Sequence, residues 1–107
     1  MARILVVDDH ADARYLLSSI FGGRGHEVVE ASNGAEGLRA AAQHRPAVVV
    51  SDVLMPVMDG FEFCGRLREM PGLRDVPFVF YTATYTRPDE RRFAFSVGAN
   101  LYLEKPT

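Results

Sequence analysis

Short apolar runs without polar alternation constrain the fold of this chain more than any other feature. Residues 4–7, 47–50 and 78–81 are apolar or aromatic throughout. Such runs are typical of strands buried on both faces of a parallel sheet. Residues 28–29 and 101–103 form weaker runs that suit the two edge strands. The sequence therefore predicts a sheet of five strands.

Helical patterns separate the apolar runs. Residues 11–21 predict a first helix with one apolar side, formed by Leu16, Leu17, Ile20 and Phe21. Further helices are predicted from about 34 to 43, from 60 to about 70, and from 88 to about 97. Asn33 is positioned to cap the second of them. Strict alternation of strands and helices predicts a doubly wound α/β domain, with right-handed crossovers and helices on both faces of the sheet.

Composition narrows the class of protein. A length of 107 residues allows one core, and 48% hydrophobic with 24% charged residues is typical of a soluble globular domain. With a net charge of −2, the sequence lacks the excess of positive charge that is typical of nucleic-acid-binding domains. Cys64 is the single cysteine, so no intramolecular disulfide can form. The apolar run at residues 4–7 is far too short for a signal peptide or a membrane span, and we expect a cytoplasmic protein.

Polar residues follow the apolar runs where each predicted strand ends. They include Asp8, Asp9, Asp52, Thr82 and Lys105. Doubly wound sheets bind ligands beyond the carboxyl ends of their strands, so these groups should converge. Three carboxylates held together repel one another, and protonation or a bound cation relieves the repulsion. Oxygen ligands favour Mg²⁺, and a cation, an amine and a hydroxyl beside a nucleophilic carboxylate indicate phosphoryl transfer.

Five motifs carry a resemblance to a known family. They are, in chain order, VVDD at residues 6–9, DVLMPVMDG at 52–60, TA at 82–83, GA at 98–99 and KP at 105–106. The chain resembles the receiver domain of response regulators over its whole length, residues 1–107. The resemblance implies the flavodoxin-like receiver topology, with strand order 2-1-3-4-5.

The resemblance also implies a role for individual residues. Asp52 is the implied phosphoacceptor. The implied Mg²⁺ ligands are Asp8, Asp9, Asp52 and the backbone carbonyl of Leu54. The implied phosphate-binding and switch residues are Thr82, Ala83, Lys105 and Tyr102. A cis peptide bond is implied before Pro106.

The implied function is a signalling module without an external substrate. A histidine kinase or phosphotransfer domain would supply the phosphoryl group, and a downstream output domain or kinase module would respond. One alternative is an enzyme of the haloacid dehalogenase type, which needs a second aspartate two residues after the nucleophile. Leu54 occupies that position, which disfavours this alternative. A second alternative is a receiver-like docking module that acts without phosphate.

Two departures from the family pattern bear on these expectations. The spacing from Thr82 to Lys105 is one residue longer than the commonest spacing, and the extra residue falls within residues 84–88. The family's final helix is missing after the fifth strand, so we expect a receiver domain truncated from a longer chain. Apolar surface of strands one, three and five would then face water, which predicts a homodimer, a domain exchange or marginal stability.

Overall fold

A computed structural model describes residues 1–83 and 87–106 of the chain. Strands and helices alternate along these residues. They are β1 (Arg3–Val7), α1 (Ala11–Gly23), β2 (Glu27–Ala31), α2 (Gly34–His44), β3 (Val48–Ser51), α3 (Gly60–Arg68), β4 (Phe78–Thr82), α4 (Pro88–Ser96) and β5 (Leu101–Glu104). The predicted order of elements is confirmed. Thr84 to Thr86, where most of the lengthened loop falls, lie outside the described residues, as does Thr107.

The strands form one parallel sheet in the order β2-β1-β3-β4-β5, which confirms the predicted fold class. Val7 pairs with Ser51, and Ser51 pairs with Phe80. Thr82 at the end of β4 pairs with Glu104 at the end of β5. This register brings the carboxyl ends of β1, β3, β4 and β5 to one edge of the sheet.

Local contacts fix where the helices near this edge begin. The Asn33 side chain accepts a hydrogen bond from the backbone of Glu36, which confirms the predicted cap of α2. The Asp59 side chain caps α3 in the same way. Gly60 follows at the first position of α3, where a Cβ atom would collide with the backbone oxygen of Asp52. Glycine thus lets α3 start close against the end of β3.

Helices α2, α3 and α4 cover one face of the sheet. Phe63, Phe78 and Phe80 form the centre of this core and are fully buried. Their rings meet edge-to-face, with centroids 5.3 and 4.9 Å apart along the series. The acidic edge of the sheet therefore rests on a rigid apolar layer.

The other face carries α1. Leu17 packs against the sheet, whereas Leu16 and Ile20 on the same predicted apolar side are 57% and 47% exposed. Apolar periodicity marks one side of a helix but does not reveal whether a neighbour covers all of it. Leu101 and Leu103 of β5 are half-exposed on this side.

The uncovered apolar surface is smaller than expected. Ile4 of β1 and Val50 of β3 are buried in a cluster to which Leu17 and Phe21 of α1 contribute. Exposure on this face is therefore concentrated at Leu101 and Leu103 of β5 and at Leu16 and Ile20 of α1. Within the described residues, no helix is long and apolar enough to cross a membrane.

The bond before Pro106 also differs from the expectation. No cis peptide bond occurs among the described residues, so Lys105 and Pro106 are joined by a trans bond. An X-Pro bond favours trans by about 0.5–1 kcal/mol unless packing selects the other isomer. Pro106 is exposed and has little packing to make that selection.

Candidate functional site

Three chain segments bring the candidate site together. Asp8 follows β1, Asp52 follows β3 and Lys105 follows β5. The backbone of Asp52 donates to the carbonyl of Val7 at 2.9 Å, and that of Lys105 donates to the carbonyl of Thr82 at 2.8 Å. Because these bonds extend the sheet by one residue, both side chains leave the edge from fixed backbone positions.

A lysine ammonium connects two buried carboxylates. Lys105 Nζ donates to Asp8 Oδ2 at 2.8 Å and to Asp52 Oδ2 at 3.0 Å. The second oxygen of Asp52 accepts a 2.7 Å bond from the backbone of Val53. Burial is the largest single influence on the Lys105 pKa and lowers it, but the bonds to Asp8 and Asp52 together raise that pKa above its ordinary value. The ammonium is therefore charged and offsets part of the carboxylate charge.

Asp9 and His10 complete the acidic side of the site. Asp9 Oδ1 is buried without a hydrogen-bond partner among the described residues, although it lies 3.2 Å from His10 Nδ1. One donor atom from each of Asp8, Asp9, His10 and Asp52 lies within 4.8 Å of the others. A buried carboxylate oxygen that makes no hydrogen bond, beside two further carboxylates, suits a bound cation. These residues fit the divalent ion that receiver domains bind.

Two residues at the start of α1 contact the acidic side of the site, and of these Arg14 was not recognised from the sequence. Arg14 donates from Nη1 to the backbone oxygen of Asp8 at 2.6 Å. His10 places its ring nitrogen 3.3 Å from Asp8 Oδ1. Their position in the sequence could have indicated this proximity, because both lie at the start of the helix that directly follows the acidic pair.

The remaining candidate residues surround this centre. Thr82 is fully buried at the end of β4, and Ala83 is exposed next to it. Leu54 has a half-exposed side chain in the loop after β3, and the role of its carbonyl stays a prediction.

Tyr102 lies under α4. It is 2% exposed, and its hydroxyl is buried without a hydrogen-bond partner among the described residues. The Arg91 guanidinium lies 5.2 Å from the centre of its ring. Burial raises the pKa of the phenol to about 12. The Tyr102 side chain is therefore neutral, and its ring faces the interior.

A doubly wound parallel sheet with an acidic cluster and a paired lysine at its carboxyl edge defines a flavodoxin-like domain with a candidate cation site. The sequence model of the response regulator receiver domain matches residues 4–107. The chain belongs to this family of two-component signalling domains, which favours a signalling role over an enzyme of the haloacid dehalogenase type.

Individual relatives agree with the family. An uncharacterised 14.6 kDa protein of Leptolyngbya boryana is 45% identical over 103 residues, which cover 96% of this chain and 78% of the relative. PilH of Pseudomonas aeruginosa is 35% identical, with 99% of this chain and 87% of PilH covered. The crystallised chemotaxis protein CheY4 of Vibrio cholerae is 37% identical with a TM-score of 0.94, covering 100% of this chain and 88% of that one.

Proposed function

We propose that this domain accepts a phosphoryl group on Asp52 from a phosphohistidine of a histidine kinase or phosphotransfer domain. The observation that carries the proposal is the position of the Asp52 carboxylate, which lies between the Val53 amide and the Lys105 ammonium beside two further carboxylates. Such an arrangement holds a nucleophile still and places positive charge where a phosphoryl group would sit.

The proposed transfer needs no external substrate beyond the phosphodonor. A carboxylate oxygen of Asp52 bonds to phosphorus, the P–N bond of the donor breaks, and the electron pair stays on the leaving imidazole. Lys105 and the end of β4, with Thr82 and Ala83, would bind the phosphoryl oxygens. Mg²⁺ held by the carboxylates and the Leu54 carbonyl would neutralise charge on the transferred group.

The proposed output is a change at the surface around α4. Tyr102 is buried on β5, and its ring contacts Arg91 of α4, so it is well placed to transmit a shift. The responding partner would be an output domain or kinase module.

We also propose that residues 1–107 form one cytoplasmic receiver domain of a longer chain. The match leaves part of each of the three relatives uncovered, which supports a chain longer than the matched segment.

A phosphate-independent docking module is the second candidate. Phe93 and Phe95 are both about half-exposed on α4. Large exposed aromatic side chains mark protein contact surfaces and are present whether or not Asp52 is modified. This observation favours a docking function, and such a function would not need the acidic cluster.

Amide NMR spectra separate the two functions. Wild type, Asp52→Asn and the matched control Asp12→Asn, an exposed acid in the first turn of α1, receive Mg²⁺ and then beryllofluoride, which mimics an aspartyl phosphoryl group. We expect shifts that spread from Asp52 to Tyr102 in wild type and the control, and none in Asp52→Asn. A folded wild type that binds neither ligand would contradict phosphoryl transfer and leave the docking function.

A further inference from the structure

We propose that His10 is an additional, nitrogen ligand of the cation site. With this ligand the site favours Mn²⁺ and Co²⁺ over Mg²⁺ more strongly than a site formed only by three carboxylates and a carbonyl. The inference rests on the cation site of the proposed function and adds a ligand to it.

The distances around His10 Nδ1 match those between neighbouring ligands of one metal ion. Nδ1 lies 3.3 Å from Asp8 Oδ1 and 3.2 Å from Asp9 Oδ1. Ligands about 2.1 Å from an octahedral ion lie about 3.0 Å apart when adjacent and about 4.2 Å apart when opposite. The four donor atoms of the cluster, including that of Asp52, all lie within 4.8 Å of one another. Shifts of a few tenths of an ångström would therefore bring all four donor atoms around one ion.

Hydrogen bonds fix the backbone of His10, while its ring is held only by a 3.3 Å contact with Asp8 and a 3.2 Å contact with Asp9 among the described residues. Its amide donates to Asp8 Oδ1 at 2.9 Å, and its carbonyl accepts from Arg14 at 3.1 Å. Although His10 precedes α1 at the capping position, its side chain makes no capping hydrogen bond. The side chain is 71% exposed. The imidazole can therefore turn onto an ion without disturbing the helix.

The chemistry of the donor set predicts the selectivity. Mg²⁺ is bound almost wholly by oxygen, whereas imidazole nitrogen suits first-row transition ions, in the order Mn²⁺ below Co²⁺. The orphaned oxygen of Asp9 is a second and independent sign of a ligand position next to the ring. Three carboxylates beside a single ammonium supply the charge that a divalent ion needs.

Pulsed electron paramagnetic resonance of bound Mn²⁺ tests the inference, because a coordinated imidazole gives ¹⁴N modulation. The samples are the 107-residue chain as wild type, His10→Gln, and the control His44→Gln at the far end of α2. We expect ¹⁴N modulation in wild type and in His44→Gln, its loss in His10→Gln, and its replacement by a ¹⁵N signal after labelling of histidine. Mn²⁺ bound by wild type without nitrogen modulation would overturn the inference and leave the proposed function intact. No binding of Mn²⁺ at millimolar concentration would overturn the proposed cation site as well.

Metal titration supplies a second readout. In His10→Gln we expect the Kd for Co²⁺ to rise about tenfold or more, as loss of a group that supports a metal typically does. The Kd for Mg²⁺ should change by less than about twofold, because an ion that prefers oxygen ligands loses little affinity when the nitrogen ligand is removed. Equal losses for both ions would overturn the assignment of His10 as a ligand.

Discussion

Replacing Asp9 with asparagine should stabilise the domain in the absence of divalent cations. Asp9 Oδ1 is buried without a hydrogen bond among the described residues, whereas Asp8 and Asp52 both accept bonds from Lys105. The Asp9 carboxylate therefore adds repulsion to the cluster without a compensating direct bond to the ammonium. Asparagine keeps the shape of the side chain and removes its charge.

The size of the effect follows from the geometry of the cluster. Two unit charges at the 4.8 Å limit of the cluster repel by about 3.5 kcal/mol at an effective dielectric constant of 20 and by about 1 kcal/mol in water. The Asp9 side chain is 27% exposed, and the Lys105 charge offsets part of the repulsion. We therefore expect a gain near the lower limit, about 1 kcal/mol, which raises the Tm of a domain of this size by about 4–8 °C.

Thermal denaturation followed by circular dichroism measures this gain. In excess EDTA, Asp9→Asn should unfold at a higher temperature than wild type. In millimolar MgCl₂ the order should reverse, because an ion that binds only the folded wild type adds RT ln(1 + [L]/Kd) to its stability. Asp12→Asn, the exposed control, should respond to Mg²⁺ as wild type does. A lower Tm for Asp9→Asn in EDTA would refute the reasoning from charge repulsion.

Three further predictions concern packing, pH and association. Gly60→Ala should lower the free energy of unfolding by about 1–3 kcal/mol through overpacking, whereas Gly65→Ala, with open space around it, should raise it by about 0.5–1 kcal/mol; urea denaturation measures both. Burial raises the pKa of the Cys64 thiol to about 11. The buried neutral thiol therefore makes its full contribution to the free energy of unfolding below about pH 9, and this contribution is lost as the pH rises towards 11. Cys64→Ala should therefore flatten the fall in urea midpoint between pH 9 and 10. If the half-exposed β5 side mediates the expected homodimer, sedimentation should give a dimer for wild type and a monomer for Leu103→Lys; a stable monomeric wild type would contradict the homodimer.

The sequence was most informative where topology alone places side chains. Asp8, Asp52 and Lys105 lie within two residues of the ends of apolar runs, and the carboxyl ends of parallel strands must meet at one edge. Their convergence could therefore be predicted without any knowledge of packing. The Asn33 cap was equally predictable, because a cap depends only on neighbouring backbone.

Predictions that depend on a partner element were less successful. Leu16 and Ile20 repeat at helical spacing, but periodicity does not show whether another element covers them. The isomer of the bond before Pro106 depends on tertiary packing that no local pattern encodes. The position of His10 is not predictable in the same way, because a single histidine carries no recognisable ligand spacing and only the fold sets its ring beside two carboxylates.

Packing between aromatic rings connects the site with α4. The Phe80 ring lies 5.4 Å from that of Phe61 and 6.0 Å from that of Tyr102, and Phe61 packs edge-to-face on Phe93 of α4 at 5.0 Å. The Arg91 guanidinium of the same helix lies 5.2 Å from the centre of the Tyr102 ring. Because close-packed cores rearrange between discrete states and do not deform continuously, a large movement of Tyr102 would require its neighbours Phe80 and Arg91 to rearrange as well. Under the proposed function, α4 is therefore the element whose displacement would carry the signal, and its exposed rings are where a partner would detect it.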